Sequence, residues 1–342
     1  MDAPFILSLD SKKDRQLFLK LKKAAFVVDE IEEQFKELTM VNNPKLLTNG
    51  RSFDIASRKI GTVWAYYQWK NTLVHCLNKK DFKKLRSSRN KNLIFDNEQT
   101  KLDKIRVGMA GLNVGNPGAV CLALEGDIEM KLADNDVLSL SNLNRFRAGL
   151  PDLGLNKAVL TARQIWEINP FAKLELFENG IMPENIDQFL NKPKIDVLVE
   201  ETDSLPLKIK IRELAKKHKI PTVMVTGNGE NVIIDIERFD LEPKLPLMSG
   251  YLKQRVIDGI AAGPKSFNEK IVLARDFMGV KYLNKRLVDS FDLVGSKLAG
   301  IPQIAESSFL RGAAIAYAVR QIATQNHIPS GRYNLRLDNA IR

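Results

Sequence analysis

The sequence predicts an α/β protein: a Rossmann-like, mostly parallel sheet with helices on both faces, preceded by a helical N-terminal segment. Three observations carry this expectation. From Lys104 onward, short uninterrupted apolar runs alternate with stretches whose apolar residues recur at helical spacing. Uninterrupted apolar strands mark a sheet buried on both faces, whereas a half-exposed sheet would alternate apolar and polar. A glycine loop follows the first of these runs and an acid closes the second, the layout of a sheet that binds at its carboxyl edge.

Residues 12 to about 40 carry Leu17, Leu19, Leu21, Phe26, Val27, Ile31, Phe35 and Leu38 among Lys and Glu, which predicts two amphipathic helices. The stretch VNNPKLLTNGRS (41–52) is turn-rich and reads as a connection. GTVWAYYQWKNTLVHCL (61–77) is aromatic and β-branched and predicts extended chain that then turns helical, with Trp64, Tyr66, Tyr67 and Trp69 as packing residues. Strands are expected at 105–110, 128–134, 173–177, 195–201 and 221–226. Helices are expected at 156–168, with Asn156 as N-cap, and at 206–218. Beyond Pro243 the chain reads as mostly helical and ends in an extended SGRYNLRLD.

Composition narrows the class. The chain has 342 residues, 44% hydrophobic and 27% charged, which is ordinary for a globular protein with a substantial core. It has no apolar run long enough for a membrane helix and no basic region ahead of the short apolar stretch near its N-terminus. Its two cysteines, Cys76 and Cys121, form no C-x-x-C pair, which argues against a disulfide framework and a cysteine-held zinc. A cytoplasmic setting without a membrane partner is expected. The net charge of +11 favours polyanionic partners, although the dense run from Lys79 to Lys91 lacks the interleaved aromatics of a base-stacking surface.

Three motifs carry chemistry. IRVGMA followed by Gly111-Leu-Asn113-Val-Gly115 is a strand, a glycine loop and a helix start. There the backbone can approach a phosphate and free N–H groups await an anion. Asp134 closes the second strand, where an acid can hold ribose hydroxyls. That pair alone would equally suit an NAD-binding protein. Asn142, Arg145 and Lys157 follow it, and two cations with an amide beside a glycine loop suit a triphosphate clamp. EETDS (200–204) ends another strand and supplies Asp203 as the best magnesium ligand, while Glu200 and Glu201 could equally cap the next helix.

With these residues in view, DNDVLSLSNLNR (134–145) resembles, almost letter for letter, the D-x-D-x-V-x-x-S-N-L-x-R hallmark of the ThiF/MoeB superfamily, whose fold ubiquitin-activating enzymes share. The resemblance implies an ATP- and Mg²⁺-using adenylyltransferase. Asp134 would bind the ribose, with Gly111, Asn113, Gly115 and Asp136 in the same nucleotide-binding set. Asn142 and Arg145 would hold phosphates, Lys157 the phosphates or the attacking carboxylate, and Asp203 the magnesium. It further implies a homodimer in which an arginine before the first strand reaches the other chain's site; Arg89 matches, with Arg86 as second choice. GNPGA, LALEG, RAGLPDLGLNK and DIERFDLEP look like a bacterial subfamily, some of whose members are fused to a nitroreductase-like domain.

The expected division is a helical segment 1–60 and an adenylation domain 61–342, with its nucleotide-binding core at about 104–240 and a mostly helical part from 241. The departures from the family pattern are a shorter glycine loop with Asn113 where glycine is usual, the absence of paired C-x-x-C motifs, and no cysteine after Pro243 for a thioester. The expected reaction is therefore activation of a carboxylate on a carrier protein, peptide or metabolite without an enzyme thioester. The alternatives are a tRNA-modifying dehydratase of the same fold, which the basic charge suits, a non-catalytic nucleotide-binding scaffold, and an NAD(H) enzyme.

Overall fold

The computed structural model describes residues 3–48 and 60–340. The chain divides into two compact units: residues up to 97 with 125–127 and 166–172, and the remainder from 98 onward.

The first unit holds a four-stranded sheet in the order β1-β3-β4-β2, from β1 (Phe5–Leu7), β2 (Phe26–Asp29), β3 (Thr62–Tyr67) and β4 (Thr72–Leu77). Helices α1 (Lys12–Lys22), α2 (Ile31–Asn42) and α3 (Lys79–Arg86) accompany it. Leu7, Phe18, Trp64 and Leu73 form one small core, and Ile31, Phe35, Leu38 and Leu77 another. Trp64 stacks on His75 with centroids 4.3 Å apart.

Two expectations for this region are corrected. The N-terminal segment is not helical alone, because Phe26 and Val27 lie in β2, which pairs in parallel with β4 through Phe26↔Thr72 and Val27↔Leu73. Four residues are too few to separate a period of 2 from one of 3.6, and the pairing partner lies far along the chain. The boundary expected near residue 60 also moves, since β3 and β4 belong to the same sheet as β1 and β2. Of the turn-rich connection, residues 49–52 lie outside the described residues.

After α4 (Asp96–Leu102), the second unit builds a seven-stranded sheet in the order β11-β10-β9-β8-β5-β6-β7. Its strands are β5 (Arg106–Ala110), β6 (Glu129–Ala133), β7 (Leu174–Phe177), β8 (Val197–Glu200), β9 (Thr222–Asn228), β10 (Asn231–Glu237) and β11 (Gly331–Leu335). β5 to β9 pair in parallel, while β10 is antiparallel to both β9 and β11. The mostly parallel sheet agrees with the sequence. The hairpin partner β10 was not anticipated.

Helices cover both faces. α5 (Leu112–Glu125) and α6 (Lys157–Ile168) meet through Asn116 Nδ2, which donates to Thr161 Oγ1 at 3.0 Å. Opposite them, α7 (Ile186–Asn191) and α8 (Leu205–Lys217) bury Ile186, Phe189, Ile211 and Ala215 with Ala110, Ala133 and Leu198 of the strands. The C-terminal part adds α9 (Gln254–Ala262), α10 (Phe267–Met278), α11 (Lys285–Phe291), α12 (Ala305–Thr324) and α13 (Leu337–Ala340). α12 crosses α5 at glycine-only distance: a Cβ on Gly118 would stand 2.6 Å from Ile315 Cγ2, and one on Gly312 2.8 Å from the Pro117 carbonyl. That contact matters below, because it seats Arg311.

Candidate functional site

The chain runs β5-β6-β7 outward and returns to place β8 on the other side of β5, so the strand order reverses at β5 and β8. Ligand crevices of open α/β sheets lie outside the carboxyl ends of strands at such a reversal. Here Gly111 makes the turn. Its φ is +87°, and a Cβ there would lie 2.4 Å from the Glu201 carbonyl oxygen. Only glycine lets the β5–α5 turn pass so close to the end of β8.

Asp134 follows β6 and faces that turn. One carboxylate oxygen accepts the Leu112 N–H at 2.6 Å and the other accepts the Asp136 N–H at 2.8 Å. Burial pushes its carboxyl pKa up, against the pull of those two amides and of Lys157. Asn156 caps α6 as expected, accepting from Ala158 N and Val159 N, while its amide nitrogen holds the Asp134 carbonyl at 2.9 Å. Lys157 is buried and pairs with the exposed Asp136 at 3.0 Å.

Asn142 and Arg145 sit in the segment between β6 and α6. The Asn142 side chain accepts the Ser139 N–H at 3.2 Å and so shapes its own 3-10 turn. Arg145 donates to Ser141 O and Asn144 Oδ1, while its Nε is buried without a partner. Two bonds tie this segment to the C-terminal part: Asn144 Nδ2 to Gln303 O at 2.8 Å, and Ser308 Oγ to Arg145 O at 3.0 Å.

Two cavities open at this edge, of about 750 and about 700 Å³. Gly111, Asp134, Asp136, Ile181, Met182 and Leu207 help line the first. Arg145, Lys208, Phe277, Leu287 and Arg311 help line the second. Asn113, Glu201, Thr202 and Asp203 line both and form the shared wall. Asp203 is exposed, whereas Glu201 is buried and accepts the Val225 N–H. Burial raises the Glu201 carboxyl to about 8, outweighing Lys208 and that amide.

Of the residues singled out from the sequence, Gly111, Asn113, Asp134, Asp136, Arg145 and Asp203 therefore border the cavities. Gly115, Asn142 and Lys157 stand behind them without lining either. Arg89 is exposed in the 3-10 turn Ser88–Asn90 of the first unit, and Arg86 of that unit donates to the Gly126 carbonyl at 2.8 Å. Neither Glu200 nor Glu201 caps α8. Glu200 is fully buried and binds Lys208, Arg212 and Thr202, and Arg212 also binds Glu237 at 2.8 Å. Burial would raise the Glu200 carboxyl, but Lys208 and Arg212 win and hold it at about 2.

Arg311 was missed. Only 2% exposed, it projects into the second cavity from α12, with a buried, unpartnered Nε and a single long bond from Nη2 to Gln303 at 3.4 Å. Burial lowers it to about 10, Glu201 opposing and Arg145 and Arg147 assisting. A signal existed: Arg311 shares the face of Ile315, Ala318 and Ile322, where a lone cation on an apolar stripe is costly unless used.

The residues fit a nucleotide. The first cavity joins an apolar wall to a buried carboxylate beside a helix N-terminus, and a carboxylate with two amides bound keeps acceptor capacity for hydroxyl donors. Asp203 offers one oxygen-ligand carboxylate at the wall, which suits Mg²⁺ held mainly through phosphate and water. Among the described residues no group of three or more His, Cys, Asp or Glu side chains could hold a metal ion by itself. Nor is any described helix long and apolar enough to cross a membrane.

A glycine turn, an acid after the second strand and a crevice at the strand-order reversal define a doubly wound α/β domain with a candidate ligand crevice. More particularly, residues 85–235 match the ThiF family, and the chain carries a ThiF family domain. An uncharacterized protein of Mycobacterium tuberculosis is 36% identical over 279 residues, covering 81% of this chain and 38% of that protein. A probable molybdopterin-synthase adenylyltransferase of Porphyra purpurea is 31% identical over 99 residues, 29% of this chain and 25% of the relative. The tRNA threonylcarbamoyladenosine dehydratase of Escherichia coli is 30% identical over 127 residues, 37% and 46% of the two chains. The chain thus spans less than half the length of each of these relatives. Among solved structures, E. coli MccB with AMPCPP and MccA superposes with a TM-score of 0.50 at 19% identity, over 73% of this chain and 67% of that one.

Proposed function

We propose that this protein activates a carboxylate with ATP, forming an acyl-adenylate and pyrophosphate. The observation that carries the reading is the pair of cavities sharing the wall Asn113, Glu201, Thr202 and Asp203. One side suits a nucleoside and the other is cationic, so the two substrates would meet at that wall. Family membership, the adenylyltransferase relative and the MccB structure with AMPCPP support it.

In this reading Asp134 holds the ribose hydroxyls and the α5 N-terminus faces the phosphates. Arg145, with Asn142 fixing its turn, faces the charge that develops as a carboxylate oxygen bonds to the α-phosphorus and the bond to the β-phosphate oxygen breaks. Mg²⁺ at Asp203 would neutralise phosphate charge. Lys157, paired with Asp136, would act on the phosphates after that pair opens. Cys76 is buried with its thiol raised to about 12 by burial, which argues against Cys76 as a thioester nucleophile and leaves the half-buried Cys121 to be tested by substitution. A homodimer with Arg89 acting in the other chain remains part of the proposal on resemblance alone, as does a nitroreductase-like partner, and a cytoplasmic setting remains part of it on composition. Mixing inactive Arg89→Ala and Arg145→Ala proteins should restore turnover in heterodimers; no recovery after confirmed subunit exchange would refute it.

The test is pyrophosphate–ATP exchange over free acids, carrier proteins and tRNA. Exchange with none of them, by folded protein that binds no nucleotide, would overturn the proposal. Exchange dependent on tRNA would instead favour the dehydratase reading, which the E. coli relative and the net charge of +11 support.

A further inference from the structure

Arg145, Lys208, Lys270, Arg286 and Arg311 line the second cavity against Glu201, Asp203 and Glu230, and the most buried of these cations, Arg311, has no carboxylate partner. Arg311 lies within the protein, yet its nearest polar partner is the neutral Gln303 at 3.4 Å and its Nε has none. Burying a guanidinium in this way is expensive. Elsewhere in the same unit, Arg212 is paired with Glu200 and Glu237, and the Arg332 side chain with Asp235 at 2.7 Å, while Arg147 lies over the Phe309 ring. Glu201, the carboxyl that faces Arg311, is instead held by the Val225 N–H.

Surroundings keep the guanidinium open to a ligand. Gly227 of β9 lies beside it, where a Cβ would stand 3.6 Å from Arg311 Cζ, so any longer side chain would cover it. Arg145 is brought to the same place by the bonds from Asn144 to Gln303 and from Ser308 to the Arg145 carbonyl. Part of the wall is apolar, with Ala274, Phe277, Leu287, Ile301 and Pro302, while Lys208, Glu230, Lys270, Asn284 and Arg286 add polar and charged groups to the remainder.

We propose that the second cavity receives the acceptor, with Arg311 as its anion receptor, and that the acceptor is a carboxylate on an apolar body of small-molecule or peptide-terminus size. A planar guanidinium binds a carboxylate through two parallel bonds and so sets its orientation as well as its affinity. The volume of about 700 Å³ falls within the range of drug-sized ligand sites. The anion would sit next to the shared wall, where an oxygen that keeps a lone pair beyond its bond to Arg311 meets a nucleotide in the first cavity. This role for Arg311 rests on the carboxylate-activation reading.

Binding without nucleotide separates the two. Hexanoate and acetyl-trialanine with a free C-terminus are titrated against the whole protein by ligand-observed NMR, with hexanamide and the amidated peptide as matched controls; AMPCPP is titrated separately. At least one acid should bind and its amide should not, and the two acids separate a small-molecule acceptor from a chain terminus. Arg311→Met should weaken the acid at least tenfold and leave AMPCPP within about twofold, while Arg311→Lys, keeping the charge but losing the fork, should fall between. In turnover, Arg311→Met should raise KM for the acceptor and leave KM for ATP unchanged. The proposal is overturned if neither acid binds, if acid and amide bind alike, or if folded Arg311→Met binds the acid as wild type does. It is equally overturned if AMPCPP weakens as much as the acid, which would make Arg311 a phosphate ligand. Failure of AMPCPP to bind while the acid still needs Arg311 would sink the ATP reading alone.

Discussion

The Asp134 carboxylate accepts the backbone N–H of Leu112 at 2.6 Å, so the acid after the second strand caps the helix that begins after the first. One residue thereby joins the glycine turn to the crevice and keeps the amide end of α5 aimed at it. Replacing Asp134 by Ala should remove both roles. Loss of the cap costs about 1 kcal/mol of stability, and loss of the hydroxyl acceptor should weaken AMPCPP about 10- to 100-fold. Titration calorimetry of the folded variant reads the second effect directly.

Gly111→Ala should be worse for folding than any substitution on an open loop. The new methyl would meet the Glu201 carbonyl oxygen at 2.4 Å with φ at +87°, and backbone strain alone costs about 1–3 kcal/mol. A fall in melting temperature of at least several degrees is expected. An unchanged melting curve would contradict the close crossing of the β5–α5 turn and β8.

Arg212 is flanked by two buried carboxylates, Glu200 and Glu237. Arg212→Met would leave both without their shared cation, a loss of about 3–5 kcal/mol. Denaturant unfolding should show the midpoint move down sharply, whereas Arg212→Met with Glu200→Gln and Glu237→Gln should recover much of it.

Glu201 gives a pH signature with a definite sign. Its carboxyl is raised from 4.5 in the unfolded chain to about 8 in the fold. Between those values the native state binds more protons than the unfolded one, so this contribution is complete below about 4.5 and is lost as pH rises towards about 8. Glu201→Gln, which can still accept the Val225 N–H, should flatten the fall of melting temperature across that window. A variant with the wild-type slope would assign the titration elsewhere.

Cys76 should be chemically silent in the native state. With its thiol near 12, the thiolate fraction at pH 8 is on the order of 10⁻⁴. Iodoacetamide followed by mass spectrometry should find Cys76 unmodified until denaturant is added.

The sequence by itself determined the parallel core of the sheet, because strands buried on both faces are written as local apolar runs and each helix between them carries its own period. It likewise marked candidate residues that lie close in the chain and border the cavities: Gly111, Asn113 and Asp134 across one strand–helix–strand unit, and Arg145 just beyond. Tertiary structure decided the rest. β2 and β10 are strands only because partners exist to pair with them, β4 for one and β9 with β11 for the other. Glu200 and Glu201 look alike as letters, yet alternate sides of one strand end send the first to Lys208 and Arg212 and the second to the shared wall. Arg311 reaches Arg145 because two glycine contacts let α12 press against α5. Such proximity depends on how two distant helices pack, and burial, which raises the Glu201 carboxyl and lowers the Arg311 guanidinium, exists only after they have done so.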